Sequence, residues 1–176
     1  MDYPVVRGKD TSFYLNHSFE GKDSVSGVIF TDPFTEPFAS GHTVLYGHNM
    51  KDGSMFGGLK AIWIRSFLEN RPVFGFSGRE NGLSALFFPA MWFRKMIITV
   101  SGRDDKTERE AYFTAMSQQS LYDTGIKKYE NEDFLTLSTC HGWGKRLVLH
   151  AIIPMKSQKG RESIKIADFS VKKSQK

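Results

Sequence analysis

The sequence predicts a mainly β fold built as one domain. Three observations carry that expectation. Apolar runs are short and rich in β-branched residues, and turn residues bound them. Glycine is frequent, at 16 of 176 residues. The stretch Glu132–Thr139 alternates Phe134, Thr136 and Ser138 with Leu135, Leu137 and Thr139, which is the two-residue period of a strand. A hydrophobic fraction of 40%, with 14% aromatics, suits a packed core and rules out a disordered chain.

Taken in order, residues 1–22 are polar with scattered aromatics (Tyr3, Phe13, Tyr14, Phe19) and read as a covering segment with one helical turn. Strands follow at Ser26–Thr31, closed by Asp32-Pro33, and at Thr43–Gly47, between Gly41 and Gly47. Leu59, Ile62, Trp63 and Phe67 fall on one face of a helix that Asn70-Arg71-Pro72 ends. Strand-like runs resume at Pro72–Phe76, Leu83–Ala90 and Lys95–Ser101. Thr107 and Glu110 have capping-box spacing, so a helix is expected over about Glu108–Gln119, with Ala111, Tyr112, Ala115 and Met116 as its apolar stripe. The last two runs are Glu132–Thr139 and Arg146–Ile153. Between them stand Cys140 and the link His141-Gly-Trp-Gly-Lys145, whose glycines suit a tight reversal. About eight strands with few helices point to a barrel or a sandwich.

Composition excludes several classes. The formal charge is +5, but seven of the 24 basic residues lie from Lys156 onward, and no basic stripe interleaves with stacking aromatics as nucleic-acid binding would need. One cysteine rules out an internal disulfide and a multi-cysteine zinc site. No run approaches the roughly 18 apolar residues of a membrane span, and no signal segment opens the chain.

The chemistry gathers at that cysteine. Cys140 ends one strand and Arg146 opens the next, so a hairpin between them brings the two side chains together. A thiol nucleophile also needs an acid for the leaving group and a donor for the oxyanion. Arg146 can be the donor. Five histidines compete for the acid. His141 adjoins Cys140 but points to the opposite face, and His150 lies about 13 Å along the strand from Arg146. His17 sits in the covering segment, and His42 looks like a surface residue before a strand. His48 follows a strand end in a loop, where functional side chains collect, and leads the set without excluding the others.

At this point the residues resemble a family. The run TLSTC (Thr136–Cys140), an Arg opening the following strand, and YGHNMKDGSMF (Tyr46–Phe56) upstream are together similar to the class B sortases. The opening Asp2–Val6, Tyr14–Phe19 and Gly27–Phe30 agree, as does the helix before the cysteine strand. The likeness runs from Asp2 to Pro154.

The resemblance implies an eight-stranded β-barrel with a few helices. It implies a division into an N-terminal covering segment (1–22), a catalytic barrel (23–155) and a basic tail (156–176). It matches Cys140 to the nucleophile, His48 to the general acid and base, and Arg146 to the residue that holds substrate and steadies the oxyanion. Leu15, Tyr112 and Ser138 match positions that contact the substrate groove. The activity implied is a cysteine transpeptidase. It would cleave a C-terminal NPxT or PxT-type sorting signal after Thr and pass the acyl group to a peptidoglycan cross-bridge amine. No cofactor or metal is expected. A location on the extracellular face of the cell membrane is expected, with an anchor lying outside this sequence. The link after Cys140 is shorter than in many class B enzymes, which bears on substrate range. A hydrolase on the same barrel, a pilin-polymerising sortase and a non-catalytic barrel module are the alternatives.

Overall fold

The structure is a computed structural model. It describes residues 3–8, 10, 12–31, 33–34, 41–59, 73–77, 82–94, 106–118, 133–140, 145–153 and 169–173. It is mainly β. The strands are β1 (Pro4–Arg7), β2 (Ile29–Thr31), β3 (His42–Tyr46), β4 (Val73–Ser77), β5 (Gly82–Arg94), β6 (Asp133–Cys140), β7 (Lys145–Ile153) and β8 (Phe169–Lys173). A helix, α1 (Lys106–Gln118), precedes the cysteine strand, and Phe13–Leu15 forms a 3₁₀ turn.

The sheet that positions the site runs β1-β2-β3-β6-β7. β1 is parallel to β2 and β3 is parallel to β6, whereas β2/β3 and β6/β7 are antiparallel. Pairing continues from β7 through β5 and β4 to β8, and β8 also pairs with β1 through Pro4↔Ser170 and Val5↔Phe169.

Register sorts the side chains into two faces, because directly paired residues share a face and neighbours in sequence alternate. One face carries Val5, Ile29, Leu45, Leu135, Leu137, Leu147 and Leu149, all at most 2% exposed, and it is the core. Burying each of these side chains contributes about 1.5–3 kcal/mol. The other face carries Val6, Phe30, Tyr46, Val44, Thr136, Ser138, Val148 and His150, and it runs out to Cys140 and Arg146.

Two covers lie on that second face. At one side the 3₁₀ turn lays Tyr14 and Leu15 against Val6, Val28 and Phe30, with Tyr46 completing the cluster. Gly27 makes that approach possible. Its φ is +56°, and a Cβ there would run into the carbonyls of Tyr14 and Leu15. At the other side α1 brings Tyr112 over His42 and His150, with ring centroids 5.2 and 6.0 Å away.

Several expectations need adjustment. α1 begins at Lys106, so Thr107 lies inside its first turn and not at the cap. β5 extends to Arg94, past the expected end at Ala90. His42 is buried at 3% exposure, not a surface residue, because a hydroxyl on β6 reaches its ring. β8, which no expected strand anticipates, falls within 156–176 and pairs with β1 and β4. The predicted helix through Ile62, Trp63 and Phe67 and the run Lys95–Ser101 lie outside the described residues, as does His141.

Candidate active site

Cys140 is the last residue of β6 and the only one of that strand exposed to solvent. The strand's alternation delivers it to the second face, and chain reversal delivers Arg146 directly opposite, as the Cys140↔Arg146 pair of the β6/β7 ladder. Opposed residues in such a ladder have Cβ atoms about 4.5–5.5 Å apart. Arg146 is half-buried. The thiol is free.

His48 arrives from β3. The parallel β3/β6 ladder pairs Tyr46 with Ser138, and the Gly47 N–H continues it by donating to the Ser138 carbonyl at 3.2 Å. Two residues farther along each chain stand His48 and Cys140, at the same end of the sheet. His48 is half-buried, and its Nε2 lies 2.6 Å from the Leu15 carbonyl oxygen. A carbonyl only accepts, so Nε2 carries a proton and Nδ1 is the ring nitrogen left uncommitted by this bond. The loop after His48 is pinned on itself. Phe56 N–H donates to the His48 carbonyl at 2.9 Å, Asn49 bridges Met55, and Met55 N–H donates to the Tyr3 hydroxyl at 2.9 Å.

Asn49 was not singled out by sequence reasoning. Its Nδ2 donates to the carbonyl of Cys140 at 2.8 Å, joining the histidine loop to the cysteine. Its place beside His48 in Tyr46–Phe56 was the available signal.

The remaining expected site residues are distributed along the same face. Ser138 lies two residues before Cys140, fully buried, and its Oγ has no partner among the described residues. Leu15, in the covering segment, packs against Val6, Val28 and Phe30, and its contact with His48 is through the main chain. Tyr112 is not gathered with the cysteine. It sits on His42 and His150, beside Thr136, four residues and about 13 Å of strand from Cys140.

Beneath Tyr112 is a buried polar chain. Thr136 Oγ1 lies 2.7 Å from His42 Nε2 and 2.8 Å from His150 Nδ1. One hydroxyl serves both rings only by donating to one and accepting from the other. Burial pushes the His150 imidazole down to about 4. Among the described residues no group of three or more His, Cys, Asp or Glu side chains could hold a metal ion. No helix among them is long and apolar enough to cross a membrane.

No family model matches the chain. It is 34% identical over 142 residues to Sortase B of Listeria monocytogenes, an alignment covering 80% of this chain and 58% of that protein. Sortase B of Staphylococcus aureus is 27% identical over 143 residues with the same coverage, so the chain spans under two thirds of the length of these relatives. Among solved structures, sortase B from Listeria monocytogenes superposes with a TM-score of 0.76 at 30% identity, covering 86% of each chain. The likeness in sequence covers 80% of the chain and the likeness in fold 86%, and the chain belongs to the class B sortase family.

Proposed function

We propose that this chain is the catalytic unit of a sortase transpeptidase. It cleaves a C-terminal NPxT or PxT-type sorting signal after the Thr and transfers the acyl product to an amine of the cell wall. The observation that supports this is the common sheet end: Cys140 is paired with Arg146 on one side, and on the other the β3/β6 ladder brings the chain at His48 to the same end of the sheet. Family membership supports it, and a relative from Staphylococcus aureus has been solved as a sortase B–substrate complex, with a TM-score of 0.77 to this chain at 26% identity, covering 86% of this chain and 73% of that one.

The chemistry follows in two steps. The Cys140 thiolate attacks the Thr carbonyl carbon, and the developing oxyanion is met by the Arg146 guanidinium. The C–N bond breaks as His48, in its imidazolium form, gives a proton to the departing amine, leaving a thioester on Sγ. An incoming amine then loses its proton to His48 and attacks the thioester, and the C–S bond breaks to return the thiolate. With Nε2–H committed to the Leu15 carbonyl, Nδ1 is the nitrogen that exchanges this proton.

Ser138, with an unpartnered hydroxyl on the same face, is assigned to the sorting-signal peptide, and Leu15 and Tyr112 to the walls of its groove. The eight-stranded barrel belongs to this reading. The continuous pairing order and the position of β8 between β4 and β1 support it. Residues 1–22 are the covering segment over that barrel, and β8 extends the barrel beyond residue 155. The peptidoglycan cross-bridge is the amine partner, and the outer face of the cell membrane is the location.

The test offers the protein NPxT and PxT peptides with and without an added amine. A ligated product that depends on the amine supports transpeptidation. Cleavage at the same rate without amine replaces it with hydrolysis. Failure of every peptide to acylate Cys140, read by intact-protein mass, refutes the reading.

A further inference from the structure

A parallel ladder repeats its rungs every two residues. On β3 and β6 the Gly47 N–H donates to the Ser138 carbonyl, so the next rung would run from the Asn49 N–H to the Cys140 carbonyl. That rung is made by a different atom. The donor to the Cys140 carbonyl is the side-chain Nδ2 of Asn49, at 2.8 Å.

The substitution has a local cause. After His48 the backbone turns away from β6 to fold back on itself, with Phe56 N–H on the His48 carbonyl and Asn49 bridging Met55. The Asn49 main chain is thereby drawn into the loop, and its side chain spans the gap that opens. Asparagine fits this gap because one short planar amide carries the donor. The amide oxygen faces away and has no partner among the described residues, which agrees with Nδ2 being the atom on the carbonyl.

We propose that Asn49 is the positioning residue that fixes the spacing between His48 and Cys140. It follows His48 directly and grips the main chain of Cys140 itself, across 91 residues of sequence. Without it, the last hydrogen bond among the described residues that ties the histidine loop to β6 is the Gly47–Ser138 rung, and both reactive side chains lie beyond that rung. The side-chain hydrogen bond of Asn49 is with the Cys140 main chain and not with its thiol. It acts through the relative placement of the two groups that exchange the proton. This inference rests on the assignment of His48 and Cys140 as acid and nucleophile.

The experiment compares wild type with Asn49→Ala, His48→Ala and Asp52→Ala. The last removes the cap that Asp52 gives Ser54 at the tip of the same loop and serves as the control. Two readouts are taken: kcat and KM for peptide ligation, and the rate of Cys140 alkylation by iodoacetamide as a function of pH. Displacing a catalytic pair by about 1 Å costs on the order of 100-fold, so Asn49→Ala is expected to lose about 100-fold in kcat with little change in KM. Its alkylation profile is expected to move toward that of His48→Ala. Asp52→Ala is expected to lower the melting temperature yet keep the wild-type profile.

Wild-type kcat and a wild-type alkylation profile in folded Asn49→Ala would overturn the proposal, whatever its melting temperature. If that variant does not fold, Asn49→Gln keeps an amide one methylene out of place. Intermediate values then support the proposal, and wild-type values overturn it. Alkylation needs no sorting signal, so a protein that ligates no peptide still tests Asn49 separately from the transpeptidase reading.

Discussion

His150 makes the acid limb of the stability curve predictable. Its ring is buried against the Thr136 hydroxyl and the Tyr112 ring, and neither carries a negative charge that could stabilise an imidazolium. Burial holds the group neutral in the folded protein until about pH 4, whereas an unfolded chain protonates its histidines near about 6.5. Between those values the unfolded state binds a proton that the folded state refuses. Stability therefore rises with pH through this window and is flat for this group above it. At ~1.36 kcal/mol per pH unit, the stabilisation lost from this residue on going from pH 7 to pH 4 is about 3 kcal/mol, set by the fall to about 4. That is a large share of the 5–15 kcal/mol typical of a domain. The assay is urea unfolding of wild type and His150→Gln at pH 7 and pH 4. Carboxylates titrate in both proteins, so the quantity read is the difference between their losses. Wild type is expected to lose about 3 kcal/mol more than the variant. Equal losses would refute the reasoning, since the acid sensitivity would then lie elsewhere.

Cys140→Ala is expected to abolish acylation and ligation with the fold intact by circular dichroism. Arg146→Ala, if it removes an oxyanion donor, is expected to lower kcat/KM about 100- to 1000-fold, and His48→Ala by several orders of magnitude; steady-state ligation kinetics check both. Thr136→Val leaves His42 Nε2 and His150 Nδ1 without the hydroxyl they share. A buried polar group that loses its hydrogen bond costs about 1–3 kcal/mol, and urea unfolding should show Thr136→Ser retaining most of what Val loses. Gly27→Ala forces a side chain into a left-handed backbone and against the Tyr14 and Leu15 carbonyls. A strain of about 1–3 kcal/mol should appear in unfolding, together with weaker ligation because the Leu15 carbonyl holds His48.

What could be read from the sequence followed the range of the interactions. The Cys140–Arg146 pair was legible because it is local: alternation along Glu132–Thr139 and a short glycine-rich link suffice to oppose the two residues. The strand at β3 and the helix at α1 were legible from β-branched runs and periodicity, although α1 starts two residues too early for Thr107 to cap it. The place of His48 beside Cys140 was not legible from periodicity. It depends on a parallel pairing of β3 with β6, and nothing in either strand names its partner; the family resemblance supplied it. His42 was misread for the same reason. A polar residue after Gly41 looks exposed until Thr136, 94 residues away, is placed against it. β8 was hidden by composition, because Phe169 and Val171 sit among lysines in a stretch whose charge dominates its pattern.

The parallel pairing of β3 and β6 also dictates when the site can exist. Antiparallel β6 and β7 meet across a short link and close at little entropic cost, so the cysteine and arginine can come together early. The histidine joins them only after a loop of about ninety residues has closed, as the 91-residue span from Asn49 to Cys140 records. Loop closure of that length and a high share of non-local contacts slow folding. A partly folded chain can therefore hold a thiol beside its arginine while lacking the histidine that the proposed mechanism uses to expel an amine. Such a chain would meet alkylating reagents before it could turn over a peptide. Recovery of turnover on refolding thus reports the last long-range closure of the sheet, and recovery of the β6/β7 hairpin does not.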